Sequence, residues 1–382
     1  MPAVKPALLL RMPIRRTNER TAECDSIPKL YRSVFMKLSS WIIAARPRTL
    51  SLSTTPVVVG TALAWAVERQ IRWPAVLAAL IGSMLIQVGT NLHNDAADSK
   101  RGGDGPDRVG PLRATASGLL DGTAVDRAAC GCFAAAALMG IYLVWVGGWP
   151  IFLLGVLSIL SGWAYTGGPV PVAYTPLGEL FVVAFFGVGA VCGTYWLCTG
   201  KLALVSIDAG LAVGLLTGAV LLVNNHRDVE ADARVGRRTL AILAGPHVTN
   251  WLYAALMMVP FGLLLPIGLA LPRSHVWLAL MPLPLVGMLI SRFIREPRGR
   301  GFNRILLQTV RIQFLFSLLL SVGWSCDVDQ CNSISVIYGY LRRLLSGVHW
   351  THDGAQRHLR GSYRPLVYRA DGLADRRHGP AD

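Results

Sequence analysis

Charge is what this sequence has least of. Asp, Glu, Lys and Arg make up 15% of its 382 residues, against roughly 25% in a typical soluble domain, and residues 128–178 contain none of the four. A stretch of that length without charge excludes an ordinary soluble core and suffices for two membrane crossings at about 20 residues each. Metal-type cysteine spacing is also missing. Cys24, Cys130, Cys132, Cys192, Cys198, Cys326 and Cys331 are scattered, which excludes a zinc framework and leaves buried structural thiols as the ordinary expectation. Cys326 and Cys331 pair only if their side of the membrane is oxidising. No signal-peptide core is present, because Leu8-Leu9-Leu10 is too short and no cleavage pattern follows it. Residues 1–40 read as a disordered, Arg-rich cytoplasmic leader, with Met36 as an alternative start.

What is abundant is apolar surface, 53% of the residues. Uncharged runs at about 49–67, 73–94, 128–147, 149–165, 180–200, 209–226, 249–272, 274–291 and 312–325 each cross, or nearly cross, a bilayer. The expected fold is therefore all-α, a polytopic bundle of nine transmembrane helices over residues 41–324. The last run is complicated by Arg311, which snorkels to the interface or faces the bundle interior. Residues 325–382 form a polar tail, expected to be disordered or partly helical at Val336 to Leu345.

Lys and Arg outnumber Asp and Glu by 37 to 22, but they sit in short loops between apolar runs. That distribution sets membrane topology and argues against a nucleic-acid partner. The leader and the loops carrying Lys100, Arg101, Arg108 and Arg113, then Arg227, Arg234, Arg237 and Arg238, then Arg292, Arg295, Arg298 and Arg300, fall on one side. The other side offers Arg69, Arg72, Lys201 and Arg273. The richer side is cytoplasmic by the positive-inside rule.

Two polar clusters interrupt the apolar pattern on that side, Asn91 through Asp104 and Asn224 through Asp232. Charge at the end of an apolar helix is costly unless something is bound there. On a helix Asp95 and Asp98 share a face, with Asn91 four residues before Asp95 and Asn94 four before Asp98. Asp228 and Asp232 likewise share a face, with Asn224 four before Asp228. Two carboxylate pairs at one membrane depth repel unless a cation joins them. Oxygen ligands alone, with Lys100, Arg101, Arg227, Arg237 and Arg238 nearby, describe a site for Mg²⁺ bridging a polyphosphate. The plainer alternative, polar helix ends solvated at the interface, fits one cluster better than a matched pair. His93 and His226 precede the acids and are either bases or interfacial hydrogen-bonding groups. Asp208 lies near the opposite face and reads as an outer-end residue.

The paired segments Asn94-Asp95-x-x-Asp98 and Asp228-x-x-x-Asp232 resemble the two aspartate-rich motifs of the UbiA superfamily of intramembrane prenyltransferases. Further stretches resemble its 1,4-dihydroxy-2-naphthoate polyprenyltransferase branch, from menaquinone synthesis. They are Ala45-Arg46-Pro47-Arg48-Thr49-Leu50, Lys100-Arg101-Gly102-Gly103-Asp104, Asp107 through Arg113, Tyr165-Thr166-Gly167-Gly168-Pro169, Leu177-Gly178-Glu179 and Gly236-Arg237-Arg238-Thr239-Leu240. The resemblance covers residues 40–324.

The resemblance implies that Asp95, Asp98, Asp228 and Asp232 hold Mg²⁺ on the diphosphate of a polyprenyl donor. Lys100, Arg101, Arg227, Asn91, Asn94 and Asn224, with Arg237 and Arg238, assist on the diphosphate. It implies attack by 1,4-dihydroxy-2-naphthoate with loss of its carboxylate, giving demethylmenaquinone, the prenyl tail lying in the bundle open to lipid. Tyr165 and Tyr174 are contacts for the ring or the allylic cation, or packing aromatics. The implied location is the bacterial cytoplasmic (inner) membrane, with the site facing the cytoplasm. Two departures stand out. The third aspartate of the broader superfamily's first motif is Gly102 here, with Asp104 the nearest substitute. The lysine of other branches has no counterpart in Gly167 to Pro176, which favours the naphthoate acceptor over 4-hydroxybenzoate or haem. A cation or solute transporter would instead place its acids near the bilayer midplane.

Overall fold

The structure is a computed structural model that describes residues 38–102 and 109–325. Eight of its helices are long and apolar enough to cross a membrane, and a ninth, Trp149–Ala164, is apolar but shorter. In chain order they are α1 (Leu50–Glu68), α2 (Trp73–Lys100), α3 (Gly122–Gly147), α4 (Trp149–Ala164), α5 (Gly178–Thr199), α6 (Leu204–Arg227), α7 (Leu240–Ala270), α8 (Val276–Arg295) and α9 (Phe302–Ser325). A short helix over 38–45 precedes them, starting inside the expected leader. The rest of the leader, Asp104, the Cys326 and Cys331 pair and the Val336 to Leu345 segment lie outside the described residues.

Each helix coincides with an expected apolar run, but several extend beyond it into polar sequence. The 28 residues of α2 measure about 42 Å at 1.5 Å per residue, more than the roughly 30 Å hydrocarbon core. The turns from His93 to Lys100 are therefore helical without being apolar. In α9, Arg311 is exposed on the outside of the bundle, the snorkelling alternative rather than the interior one. Gly245, at φ 71, breaks the first turns of α7 from the rest, and Pro246 follows it; that glycine adopts a conformation costly for other residues.

The bundle is held by small residues and a few buried polar links, as expected where lipid supplies no hydrophobic drive between helices. A Cβ on Gly187 of α5 would lie 2.4 Å from the Gly210 carbonyl oxygen and 2.5 Å from Gly214 Cα of α6. Within α5, Val183–Gly189 winds as a π-helix, a form that recurs beside functional sites, and Phe185 and Phe186 there line the large cavity described below. Gln313 Nε2 donates to Thr55 Oγ1 at 2.8 Å, tying α9 to α1, and Tyr253 and Thr309 hydroxyls meet at 2.9 Å between α7 and α9. Tyr253 stacks on Phe293 at 4.1 Å, and His226 packs against Phe293 and Phe302. His226 is thus a packing residue at the end of α6. Exposed Trp145, Trp149, Leu204 and Leu269 present apolar surface that suits a lipid surround.

Because both atoms facing Gly187 are backbone, they cannot move aside. Gly187→Ala should cost about 1–3 kcal/mol by overpacking, seen as earlier thermal unfolding of the detergent-solubilised protein; unchanged melting would mean that α5 and α6 do not touch at this point.

Candidate active site

The polar ends of α2 and α6 meet on one side of the bundle through a single guanidinium. Past α6 the chain turns through Asp228 into a short helix, Val229–Arg234, and then back at Gly236, whose φ of 77 makes the turn. This return places Arg237 between the clusters: its Nη2 donates to Asp98 Oδ1 at 2.6 Å and its Nη1 to Asp232 Oδ1 at 3.0 Å. Burial works against the charge on Arg237, but Asp98 and Asp232 outweigh it and hold the guanidinium above its ordinary pKa. Asp98 also accepts from Arg113 Nη2 at 2.7 Å, so two cations share a carboxylate that is 2% exposed. Charge-assisted bonds of this kind are what make burial of a carboxylate tolerable.

Asp95 and Asp98 share a helix face in sequence terms but serve different surroundings. Asp95 Oδ2 accepts from Ala114 N and Oδ1 from Thr115 N, both at 3.1 Å. It clamps the loop that delivers Arg113; of the four aspartates only Asp98 lines the cavity, with Asp228 and Asp232 lying beside Arg227 and Arg237 at its edge. Asp228 pairs with its neighbour Arg227 through Nε at 2.8 Å and Nη2 at 2.6 Å. Arg227 further donates to Asn224 Oδ1 and to Asn303 Oδ1, each at 2.8 Å. Asn91 faces the N-terminal turn, donating to the Ala45 carbonyl at 2.9 Å and to Thr49 Oγ1 at 3.1 Å, while Asn94 Oδ1 accepts from Thr166 Oγ1 at 2.5 Å.

Several expected diphosphate residues stand away from the cavity. Lys100 is exposed and reaches Asp126 at 3.5 Å. Arg101 donates to the Thr166 and Gly168 carbonyls, and its guanidinium lies 5.4 Å from the Tyr174 ring centroid, with Arg237 at 5.0 Å from that ring. Tyr174 therefore contacts two guanidiniums. The Arg238 side chain is exposed, and its backbone N–H bonds the Tyr174 carbonyl. These residues belong to sequence that bends at the end of a helix, where one residue's step turns a side chain from the interior to solvent. His93 Nδ1 donates to Asp126 Oδ1 at 2.9 Å and the ring stacks on Trp163, again outside the cavity.

One cavity of about 1390 Å³ joins this polar end to the membrane interior. Asn94, Asp98, Arg113, Asn224, Arg227 and Arg237 line its charged end, and Ala79, Gly140, Val144, Ile151 and Gly155 its apolar reach along α2, α3 and α4. Tyr165, at the junction, has its phenol raised well above the ordinary value by burial and by the Glu179 carboxylate, so it stays protonated. Sequence reasoning had not nominated Arg113, Asn225 or Asn303 as site residues. Arg113 carried a signal in the Asp107 to Arg113 stretch, whereas Asn303, at the start of α9, carried none.

Among the described residues no three of His, Cys, Asp and Glu converge as a ready metal cluster. The charged end nonetheless offers carboxylate oxygens, and Mg²⁺ asks for only one or two carboxylates plus waters and phosphate oxygens. Asp98 and Asp232, already within one guanidinium's reach of each other, fit that requirement.

A model of the UbiA prenyltransferase family matches residues 53–319. The chain is 38% identical over 247 residues to the 1,4-dihydroxy-2-naphthoate octaprenyltransferase of Mycobacterium tuberculosis, covering 65% of this chain and 84% of that one. It is 33% identical over 294 residues to the enzyme of the same name from Escherichia coli, covering 75% and 95%. The fold is similar to that of a UbiA homolog from Archaeoglobus fulgidus bound to GPP and Mg²⁺, with a TM-score of 0.57 at 16% identity over 75% of this chain and all (100%) of the other.

Asp95→Ala should strip the buried Ala114 amide of its acceptor, at about 1–3 kcal/mol, remove the part-buried Thr115 amide's acceptor as well, and free the loop around Arg113. Limited proteolysis by trypsin would detect faster cleavage after Arg113 than in wild type; equal rates would show that Asp95 does not hold the loop.

Proposed function

The chain belongs to the UbiA prenyltransferase family, and on that premise we propose that it transfers a polyprenyl group from polyprenyl diphosphate to 1,4-dihydroxy-2-naphthoate. The acceptor loses its carboxylate as CO₂, diphosphate is released, and the product is the quinol form of demethylmenaquinone, whose oxidation to the quinone is a separate step; the reaction depends on Mg²⁺. The observation that carries this reading is a continuous cavity with a cationic, oxygen-rich end and a long apolar reach, which matches a donor that is anionic at one end and hydrocarbon for the rest. The curated relatives named for naphthoate prenylation support the acceptor.

Asp98, Asp228 and Asp232 are the carboxylates suited to hold Mg²⁺ with the diphosphate. The metal supplies electrostatic stabilisation of the leaving diphosphate. Arg113, Arg227 and Arg237 line the same end and are free to exchange carboxylate for phosphate oxygens as partners, a fork geometry that suits both. Asn94 and Asn224 add amide donors. The apolar walls exclude water from the allylic cation left when diphosphate departs, and the neutral phenol ring of Tyr165 offers that cation a π face. The electron-rich naphthoate ring then forms the carbon–carbon bond. Asp95 serves by holding the loop that carries Arg113. The density of Lys and Arg around this end supports a site facing the cytoplasm from the bacterial inner membrane.

Membranes containing the protein, incubated with labelled polyprenyl diphosphate and each acceptor, test the assignment. Transfer to dihydroxynaphthoate should vanish with EDTA and fall by roughly 10²–10³-fold or more in Asp98→Ala and Asp232→Ala, the scale of lost electrostatic stabilisation; product on 4-hydroxybenzoate alone would overturn the acceptor. The tail groove is tested separately at Gly155, where a Cβ would meet nothing within 4 Å. Gly155→Leu should raise the KM for a long polyprenyl diphosphate more than for geranyl diphosphate, and equal changes would move the tail elsewhere.

A further inference from the structure

Two adjacent amides at the end of α6 are held in opposite senses. Arg227 Nη2 donates to Asn224 Oδ1 at 2.8 Å, so Asn224 keeps its NH₂ for the cavity. Asn225 Nδ2 donates to Glu179 Oε1 at 2.9 Å, so Asn225 keeps its carbonyl oxygen. An amide has one accepting and one donating end, and its orientation is set by what already holds it. Asn94 follows Asn224, because its Oδ1 accepts from Thr166 and its NH₂ is left over. All three line the cavity. Glu179, buried at 5% exposure, stands behind the wall at the start of α5, and its Oε2 has no hydrogen-bond partner.

The donors and the acceptor suit different guests. Amide N–H groups beside Arg227 favour an anion. A carbonyl oxygen is wrong for an anion, since it adds negative partial charge where phosphate oxygens gather, and right for an O–H. The surroundings of Asn225 are also those of a ring: Tyr165 and Phe181 line the cavity there, Phe181 and Phe185 rings lie 5.8 Å apart, and Gly178 leaves the Tyr165 hydroxyl 3.8 Å from where its Cβ would stand. A buried carboxyl group with one oxygen unpartnered is costly to keep, and here its bond to Asn225 fixes the sense of an amide at the substrate.

We propose that Asn225 Oδ1 accepts a hydrogen bond from a ring hydroxyl of the aromatic acceptor, and that Glu179 is the positioning residue that holds the amide in that sense. The inference rests on the naphthoate reading above. It makes the chamber selective for a hydroxylated ring as well as for an electron-rich one, because an analogue lacking that hydroxyl leaves a buried acceptor unpaired.

The test uses the full chain in membranes. Transfer by wild type to dihydroxynaphthoate is measured first, and its absence overturns the acceptor reading together with this inference. With transfer present, 1-hydroxy-2-naphthoate and 4-hydroxy-2-naphthoate, each lacking one ring hydroxyl, serve as competitive inhibitors. Wild type should bind one about tenfold more tightly than the other, the scale of one hydrogen bond. In Glu179→Leu, which offers Asn225 no acceptor, and in Asn225→Leu that preference should shrink to about twofold or less. The acceptor KM should rise about tenfold while the prenyl diphosphate KM stays within about twofold. A preference that survives in both variants, or a prenyl diphosphate KM that rises as much as the acceptor's, overturns the proposal. If neither variant accumulates in the membrane, the wild-type inhibitor ratio decides alone, and a ratio near one overturns it.

Discussion

The structure depends on the cost of placing carboxylates at the edge of a bilayer. Asp98 and Asp232 come from opposite halves of the chain, are both buried, and would repel if brought together bare. Arg237 answers this by bonding both, and Arg113 takes the remaining oxygen of Asp98. Once those two bridges exist, much else follows. The turn at Gly236 is needed to return Arg237 between the helices, the loop at 114–115 is pinned by Asp95 to present Arg113, and the Tyr174 ring lies against both Arg101 and Arg237.

The same cost explains the unequal helix lengths. α2 and α6 run past the hydrocarbon so that their polar ends can lie side by side, whereas α4, with 16 residues, measures only about 24 Å and leaves the chain from Tyr165 to Gly178 to fold back over the charged end. That return segment brings Tyr165 and Thr166 to the cavity and Glu179 behind it. The short helix and the overlong ones are parts of one arrangement.

The helical bundle was largely legible in the sequence, because a charge-free run of about 20 residues has few alternatives. The ends were less so: residues such as His93 and Asp98 continue a helix whose apolar signal has stopped, and hydropathy does not see a helix sustained by tertiary partners. The two acidic clusters and their common side could be read from spacing and loop charge. What spacing alone left open was the division within a cluster. Asp95 and Asp98 lie three residues apart, yet one serves backbone amides and the other guanidiniums, a difference set by the loop that closes over them. Lys100 and Arg101 turned outward for the same reason, as helix α2 ends beneath them. Asn303 joined Arg227 from a helix far along the chain, which no local pattern announces. The π-helical stretch of α5 carries no signal in composition either.

The cavity has charge at one end alone, and both substrates bring an anion to it. The donor's diphosphate departs, and the acceptor's carboxylate is lost when the new bond forms. What remains is a neutral quinol with a hydrocarbon tail, held by nothing that the arginines can grip. The chemistry itself removes both anionic charges that the reactants carry, and a neutral, largely hydrocarbon product partitions toward lipid with only a ring-hydroxyl contact to release.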